Sequence, residues 1–470
     1  MGNVNVVFWW DTEDFVTPES DDIILDVVKA FEDRKVRACF KMVGEKVRTL
    51  EKRGRTDVIA ALDRHEIGYH TDSHSVHPTA AETADGKRWR EGIDALRARE
   101  EPGFRDVSRV FHRTPEVYGQ PGASYAPQYY RLLREWGVPT YLGGSVYLGL
   151  NDRPSHFQGI FNLARMCNVS ASPSPNVPAG TADPAIGELD ACVRLLSERG
   201  GVISSSGHPC EFCTPAFWDA VNFAKGANPP RERWRGAPLR TPESRRASLG
   251  NLTNLIDECL RRGVRVVTAA EARAMYPDKA RGMRLAPPIL RQLAAHLARG
   301  ILYFEADTWA MTAGEILSAL VHCVCEAGPA GGIPEGVPFE SIDGPDERGA
   351  ARSAPCGTVS REALLEAARG LRDFLARERR LPDDVAVGSG RARPEDFAAL
   401  LASAVERLGR DGRLPEVLPW RASPYLLGGL VRGLGDELGW IIHSPSMTGA
   451  TLKEYATLQA WSFKPAIYAM

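Results

Sequence analysis

The sequence predicts an α/β fold with a parallel β-sheet, followed by a mostly α-helical C-terminal part. Short apolar strand candidates alternate with helix candidates up to about residue 280, which is typical of a parallel sheet, doubly wound or closed as a barrel. The later residues show helical periodicity without convincing strand alternation. The chain has 470 residues, more than the roughly 250–300 that one core supports, so we expect two domains, residues 1–280 and 281–470.

The first strand candidate carries the most distinctive local pattern. Val4 to Trp10 is an apolar run typical of a buried strand, and it ends at the acidic cluster Asp11-Thr12-Glu13-Asp14. The later predicted strands are Val36 to Val43 (ended by Gly44), Glu66 to Tyr69, Val138 to Leu142, Gly201 to Ser205 and Val264 to Thr268. The predicted helices are Asp21 to Arg34, Asp57 to Arg64, Pro127 to Trp136, Pro184 to Arg199 and a last one that ends at Pro277.

Residues 281–470 contain a pattern that indicates a degenerate duplication. Residues 284–326 and 360–408 are helical by pattern. Met311 to Leu320 and Ala392 to Leu401 each precede a turn with a Gly-x-Ile-Pro or Gly-x-Leu-Pro pattern, and residues 327–358 form a predicted loop between the copies. The stretch from Leu365 to Val387 faintly resembles pseudomurein-binding repeats. We therefore expect an accessory domain that binds a glycan or peptide-like chain, or through which the protein forms a homo-oligomer.

Composition and charge exclude several classes of protein. The 58 Lys and Arg against 60 Asp and Glu give a net charge of −2, which offers no broad basic surface for nucleic acid or an anionic membrane. The sequence contains no run of about 20 apolar residues, so we expect no membrane span. The nine scattered cysteines and the N-terminus, which lacks the basic start of a signal peptide, favour a cytoplasmic protein without a disulfide framework.

A pair of histidines indicates a metal site. His70 and His74 lie in the sequence HEIGYHTDSHSVHP, directly after a strand candidate, and two histidines four residues apart on a helical turn can reach one cation. The C-terminal strand ends of a parallel α/β fold gather on the active-site face, so the acidic cluster after the first strand should lie nearby. Two histidines and one carboxylate leave coordination positions open, as a catalytic metal requires.

Five motifs in order resemble the polysaccharide deacetylase family, named for the chitooligosaccharide deacetylase of nodulation (carbohydrate esterase family four). They are the acidic first strand, the second strand VRACFKMVGE, the segment HEIGYHTDSH, the loop from Gly119 to Tyr125 and the late motif Ser206-Gly207-His208-Pro209. The resemblance spans roughly residues 4–275. It implies a distorted (β/α) barrel and metal-dependent deacetylation of sugars.

The resemblance also implies roles for individual residues. Glu13, His70 and His74 would hold a divalent metal, with Zn²⁺ expected first and Ni²⁺, Co²⁺, Mn²⁺ or Fe²⁺ as alternatives. Asp14 is a rival to Glu13 as the carboxylate ligand. Asp11 would be the catalytic base, and His208 would protonate the departing amine.

Substrate contacts are expected from the loop and from the first strand. The resemblance assigns Gln120, Pro121, Gly122 and Tyr125 to a substrate groove, and we expect Trp10 to form its wall while Trp9 lies in the core. The family's loop usually carries an arginine that supports the base, but Gly119-Gln120 stands at that place here. This departure predicts a changed base or substrate contact.

These observations predict a metal-dependent amide hydrolase that removes an acetyl or similar acyl group from an amino sugar or a related small conjugate. Two alternatives stay open. Asn151-Asp152-Arg153-Pro154 is similar to a segment of the family's ureide-hydrolase branch, which predicts hydrolysis of a cyclic amide or ureide, with or without metal. The missing arginine predicts, alternatively, a non-catalytic glycan-binding relative.

Overall fold

The structure is a computed structural model that describes residues 3–143, 148–150, 153–163, 168–171, 184–327, 331–350, 357–420, 422, 424–431 and 439–469. Asn151 and Asp152 of the predicted ureide-hydrolase segment, and Cys167 and Cys356, lie outside these residues. No helix in the part of the chain that the structure describes is long and apolar enough to cross a membrane.

One large sheet organises the N-terminal part. Its strands are β1 (Val4–Thr12), β2 (Cys39–Met42), β3 (Glu66–Tyr69), β4 (Val117–Tyr118), β5 (Thr140–Tyr141), β6 (Ser155–Phe157), β7 (Ile160–Asn162), β8 (Asn168–Ser170), β9 (Gly201–Gly207), β10 (Arg265–Val266) and, from the C-terminus, β17 (Lys464–Pro465). The order is β17-β6-β7-β5-β4-β3-β2-β1-β9-β8, with β10 beside the start of β1. All pairs are parallel except β6 with β7 and β17 with β6.

Helices connect and cover these strands. They are α1 (Glu19–Glu32), α2 (Gly44–Lys52), α3 (Thr56–Asp63), α4 (Ala80–Ala84), α5 (Trp89–Val110), α6 (Tyr129–Trp136), α7 (Pro184–Leu196), α8 (Ala220–Phe223), α9 (Pro242–Arg261) and α10 (Ala269–Ala274). Short 3₁₀ helices cover Pro209–Phe212, Ala224–Gly226 and Arg231–Arg233. This is the predicted α/β fold, a distorted (β/α) barrel that is open between β8 and β17 among the described strands.

The alternation of side chains along β1 separates the core from the site. Phe8 and Trp10 point to the outer layer, where both contact Phe31 of α1 in edge-to-face geometry, with ring centroids 5.3 and 6.0 Å away. Trp9 and Asp11 point to the opposite face. The strand therefore anchors itself through its even-numbered residues and presents its odd-numbered ones to the interior of the barrel.

Each element predicted before residue 280 has a counterpart in the structure, but the structure contains further elements. β3 has the predicted bounds, whereas α2, α5 and α9 are among the helices that were not predicted, and β4, β6, β7 and β8 are among the strands that were not. Gly44 was expected to end a strand, but it begins α2, and a Cβ on it would lie 2.5 Å from Gly103 Cα of α5. Its role is a close contact between two helices. α5 contains Pro102, a residue type that ordinarily predicts a helix end.

The C-terminal part is mostly helical, as predicted, but it also contains short antiparallel strand pairs. Its elements are α11 (Pro287–Arg299), β11 (Phe304–Glu305), β12 (Ala310–Met311), α12 (Ala313–Ala327), β13 (Thr358–Ser360), α13 (Arg361–Glu378), β14 (Val385–Val387), β15 (Gly390–Ala392), α14 (Pro394–Asp411), β16 (Val417–Pro419) and α15 (Ala450–Gln459), with 3₁₀ helices at Leu427–Leu430 and Ala460–Ser462. The order helix, hairpin, helix occurs twice, from α11 to α12 and from α13 to α14. This repetition supports the predicted duplication, which stays a prediction, as does the boundary at residue 280.

The C-terminal part does not lie apart from the barrel. β17 adds a strand to the large sheet through β6, and Lys464 Nζ binds Asp278 at 2.8 Å and Glu315 at 3.0 Å. Buried residues of both parts belong to one continuous hydrophobic cluster, which includes Val7 of β1 and Leu320 of α12. The two predicted domains therefore share a core.

Candidate active site

The ends of three strands bring the predicted residues together. β9 and β2 flank β1, and β3 lies beyond β2, with Trp10 opposite both Gly207 and Phe40. Because these strands are parallel, the residues that follow them share one edge of the sheet. Asp11 near the end of β1, His70 after β3 and His208 after β9 meet there, as the sequence predicted.

Glu13, His70 and His74 form the tightest cluster. Glu13 Oε2 lies 3.1 Å from His70 Nε2 and 2.8 Å from His74 Nε2, and all three side chains are at most 2% exposed. Burial opposes ionisation of Glu13, but the neighbouring His74 and His208, together with hydrogen bonds from His70 and His74, outweigh it and hold its pKa well below the usual range. The carboxylate is therefore ionised and faces two imidazole nitrogens.

The path of the chain between the two histidines differs from the expected one. A helical turn was expected, but residues 70–79 contain no helix. Thr71 and His74 instead adopt left-handed backbone conformations, with φ of 66° and 48°, which are rare for residues other than glycine. This loop brings the ring centroids of His70 and His74 to 5.2 Å. His70 and His74 lie side by side, as predicted, but the predicted helical turn that would place them so is wrong.

Hydrogen bonds on the outer side of each ring fix which nitrogen is free. His70 Nδ1 lies 2.8 Å from the carbonyl oxygen of Gly119, which can only accept, so Nδ1 carries the proton. Ser75 Oγ donates to Asp219 Oδ2 at 2.7 Å and so accepts from His74 Nδ1 at 2.6 Å. Because both Nδ1 atoms carry protons, a ring that gives up the Nε2 proton that it shares with Glu13 has its Nε2 lone pair free to bind a metal ion.

This donor set fits a divalent metal ion. The ligand atoms of Glu13, His70 and His74 all lie within 4.8 Å of one another, and two imidazoles with one carboxylate are ligands typical of zinc and other first-row metals. The contacts of the outer nitrogens are the supporting hydrogen bonds that metal-binding histidines ordinarily make. Trp218, a residue that sequence analysis did not select, adds a further support by donating its Nε1–H to Glu13 Oε1 at 2.9 Å.

Asp11 lies beside this cluster and is paired with a buried lysine. Lys41 Nζ lies 2.7 Å from Asp11 Oδ1, and the lysine side chain is 1% exposed. Burial raises the pKa of Asp11, but His70, Lys41 and His208 outweigh it, so the net pKa is below the usual value. Asp11 is thus a carboxylate held ionised by the cations around it.

Lys41 supplies a cation next to Asp11, where Gly119-Gln120 stands in place of the arginine expected in the loop. It comes from β2, and its Nζ also lies 4.0 Å from the centroid of the Trp9 ring. A Cβ on Gly119 would overlap Lys41 Nζ and lie 2.6 Å from the carbonyl oxygen of Leu142. The absent side chain at Gly119 is therefore what gives the lysine its place. The signal in the sequence was a lysine between apolar residues, Phe40 and Met42, of a strand candidate.

His208 lies across Asp11 from His70. Its Nε2 is 3.6 Å from Asp11 Oδ2, its Nδ1 is 2.9 Å from Glu211 Oε2, and its side chain is 29% exposed. Burial works against protonation of His208, but the carboxylates of Glu13, Glu211 and Asp11 outweigh it and raise its pKa to about 9. His208 is therefore a protonated, accessible group at neutral pH.

Asp14, the alternative carboxylate ligand, is engaged in backbone hydrogen bonds instead. Its Oδ1 accepts hydrogen bonds from the backbone N–H groups of Val16 and Thr17, both at 2.9 Å, which is the pattern of an Asx turn that leads into α1. Burial raises its pKa. Asp14 is absent from the candidate metal-binding groups of the described residues, so the geometry favours Glu13.

The expected substrate wall needs correction. Trp10 is fully buried in the outer layer against Phe31 and Phe212, so the prediction that it lines the cleft is wrong. The side chains of β1 face the opposite way from the prediction. Trp9, not Trp10, therefore faces the site, where its Nε1–H donates to Ser204 Oγ at 2.8 Å.

The predicted loop is largely covered. Tyr125 is fully buried and so offers no surface to a substrate, contrary to the prediction, because it lies in the core near Tyr130, with ring centroids 6.4 Å apart. Gln120 and Pro121 are also buried. The Gln120 Nε2–H donates to the carbonyl oxygens of Gly122 and Gly143, so the side chain shapes the loop. Gly122 is exposed, and its role in substrate binding stays a prediction.

No protein-family model and no curated protein sequence matches the chain. Solved structures do match it. A protein assigned as a polysaccharide deacetylase from Mycobacterium smegmatis is 15% identical, with 58% of this chain and 91% of that chain covered and a TM-score of 0.38. A family 4 acetyl xylan esterase from Clostridium thermocellum, in complex with a cobalt ion, is 16% identical, with coverage of 58% and 92% and a TM-score of 0.31. The allantoinase Puue is 12% identical, with coverage of 58% and 90% and a TM-score of 0.37. Polysaccharide deacetylases, the family that the sequence motifs resemble, are thus among the solved structures to which this chain is similar.

Proposed function

We propose that this protein is a metal-dependent amide hydrolase that removes an acetyl or similar acyl group from an amino sugar or a related small conjugate. One observation carries the proposal. A buried carboxylate and two imidazole nitrogens converge at Glu13, His70 and His74, with an ionised carboxylate and a protonated histidine on one side. Such an arrangement would combine a ligand set, a base and an acid at one edge of the sheet.

Glu13, His70 and His74 would hold the metal, for which Zn²⁺ is the first expectation and Ni²⁺, Co²⁺, Mn²⁺ or Fe²⁺ are alternatives. A bound divalent metal polarises the acyl carbonyl and lowers the pKa of water. The hydrogen bonds of His70 to Gly119 and of His74 to Ser75 keep both Nε2 atoms directed to the ligand position.

Asp11 and His208 supply the proton transfers. Asp11 Oδ1 is engaged by Lys41, so Oδ2, which faces His208, is the oxygen that would accept a proton from the attacking water. His208 carries a proton at neutral pH and is accessible, and it would deliver that proton to the departing amine nitrogen. Glu211, 2.9 Å from His208 Nδ1, keeps its Nε2–H directed into the cleft.

The test combines metal binding with product analysis. We expect wild-type protein to bind about one divalent ion per chain and to release acetate from at least one member of a panel of N-acetylated amino sugars. His70→Ala and His74→Ala should each weaken metal binding, and unchanged tight binding in both would refute the ligand assignment. Asp11→Asn should retain the metal and lose most of the activity, whereas full activity would remove Asp11 from the mechanism.

The same experiments distinguish the two alternatives. Hydrolysis of a cyclic amide or ureide by protein without stoichiometric metal would replace the proposal with the ureide-hydrolase one. Glycan binding without hydrolysis of any substrate would indicate a binding protein. The complete set of Asp11, Glu13, His70, His74 and His208 argues for an enzyme.

A further inference from the structure

The C-terminal part contributes a segment to the candidate site. Residues 439–449, which we call the covering segment, follow the chain after the second helical unit and lie on the barrel. Lys225 N–H donates to the carbonyl of Ile441 at 2.7 Å, and Gly226 N–H donates to that of Ile442 at 3.0 Å. Farther along, the N–H of Ser444 donates to Glu82 Oε1 at 3.0 Å. The segment is therefore fixed to the 3₁₀ helix Ala224–Gly226 and to α4 of the barrel part.

Apolar packing holds the covering segment in the same place. Ile442 is fully buried in a small cluster with Phe15, Val43 and Trp218, separate from the main core. Trp218 is also the residue that donates to Glu13. The covering segment thus shares an apolar cluster with Trp218, which supports the proposed ligand Glu13, although Ile442 lies more than 200 residues beyond Trp218 along the chain.

Trp440 is the residue of the covering segment that reaches the site. Its ring centroid lies 5.8 Å from that of His74, with the ring planes at 77°. A Cβ on Gly122 would lie 2.5 Å from the Trp440 ring, so the indole rests on the backbone of the loop. Trp440 remains partly exposed. An aromatic surface therefore stands between the proposed ligand His74 and the only exposed residue among the four predicted loop contacts, Gly122.

We infer that Trp440 is a specificity-determining residue that contacts the substrate and closes the site on the side of Gly122. The inference rests on the proposed function. Its consequence is that the protein acts on a single acylated amino sugar or a terminal unit, and disfavours units inside a longer glycan chain. The indole contacts both His74 and the backbone at Gly122, so a sugar ring or acyl group bound at His74 would meet an aromatic surface on that side, and a longer chain would have no room to continue there.

Trp440→Ala and Trp440→Phe test this inference. Both are compared with wild-type protein on N-acetylglucosamine and on its oligomers of up to about six units. Acetate release gives the activity on each substrate, and calorimetry gives its binding. Trp440→Ala should lower kcat/KM for the shortest accepted substrate by at least about tenfold, because an aromatic contact is lost. It should also raise the ratio of kcat/KM for the longest oligomer to that for the shortest. Trp440→Phe should restore much of the wild-type preference.

Trp309→Ala is the matched control. Trp309 is a partly buried tryptophan of the same C-terminal part that packs on Phe304, with ring centroids 5.4 Å apart. Its substitution should leave the length preference unchanged, and thermal unfolding should show that all variants are folded.

Three outcomes distinguish a failure of this inference from a failure of the proposed function. The changes described above would support both. An active wild-type protein whose length preference and kcat/KM are the same in Trp440→Ala would overturn the inference alone. A metal-loaded wild-type protein that neither binds nor deacetylates any of these sugars would overturn the proposed function, and the inference with it.

Discussion

Replacement of Lys41 by methionine should abolish most of the activity while the metal site stays intact. Lys41 is 1% exposed, and its Nζ lies 2.7 Å from Asp11 Oδ1. Methionine has a similar length and no charge, so it fills the same volume. The Asp11 carboxylate then loses its nearest cation and the group that fixes its orientation.

The magnitude follows from the geometry of the pair. At 2.7 Å and an effective dielectric constant of about 20, the attraction between the two charges is about 6 kcal/mol. Desolvation of both groups offsets part of it, and removal of one partner from a buried pair costs about 3–5 kcal/mol of folding free energy. We expect the free energy of unfolding to fall by that amount. We also expect kcat to fall roughly a hundredfold, the cost typical of one fixed polar group at a reacting centre.

Lys464→Met separates the catalytic effect from the loss of stability. Lys464 is 3% exposed and binds Asp278 and Glu315. Like Lys41, it is a buried lysine paired with carboxylates, but it lies outside the site. Urea unfolding should show a similar loss of stability in both variants. Acetate release, measured under conditions in which both are folded, should fall only in Lys41→Met.

Two results would refute this reasoning. Wild-type turnover in folded Lys41→Met would show that the lysine does not support the base, and an equal loss in Lys464→Met would trace the effect to stability. Elemental analysis should give the same metal content in both variants and in wild-type protein. Loss of metal from Lys41→Met alone would mean that Lys41 orders the ligands and not only Asp11.

Three further substitutions test neighbouring parts of the structure. Gly119→Ala should displace Lys41 from Asp11 and lower kcat about tenfold to a hundredfold, and steady-state kinetics equal to wild type would contradict this. Asp219→Asn weakens the support that Ser75 gives to His74 and should raise the metal Kd about 10- to 100-fold in a chelator competition; an unchanged Kd would exclude this role. Burial lowers the pKa of His65 from 6.5 to about 4 in the folded protein. As pH falls, His65 is therefore protonated in the unfolded chain before it is protonated in the folded one, so about 3 kcal/mol of stability should be lost between pH 6.5 and 4. His65→Asn keeps an acceptor for the Ala38 N–H and should flatten that dependence in unfolding titrations, whereas an equally steep curve would assign the loss to other groups.

The sequence predicted the features of the fold and site that depend on local pattern. β3 appears at the predicted residues, and His70 follows it directly. His208 follows β9 in the same way. A parallel sheet places such residues at one edge whatever the details of the loops, which is why the cluster could be predicted without knowledge of the loop conformation. The conformation itself, with left-handed Thr71 and His74, has no comparable signal in the sequence.

The phase of β1 shows where local pattern stops being informative. Residues 6–10, VVFWW, are apolar on both faces, because one face packs on α1 and the other lines the barrel, so the periodicity of this run cannot distinguish Trp9 from Trp10. Asp11 could have settled the phase. A residue two positions before a proposed catalytic carboxylate must share its face, which assigns Trp9 to the interior.

Lys41 and Trp440 were missed for a different reason, since each acquires its role from a residue distant in the chain. Lys41 serves Asp11 only because Gly119, from another loop, leaves space for its Nζ. Trp440 meets His74 across more than 360 residues of sequence. A missing arginine in the loop therefore does not by itself indicate a lost activity, because the cation is supplied from β2. Likewise, a C-terminal part without motifs of its own can still determine the substrate, because it completes the wall of a site built elsewhere in the chain.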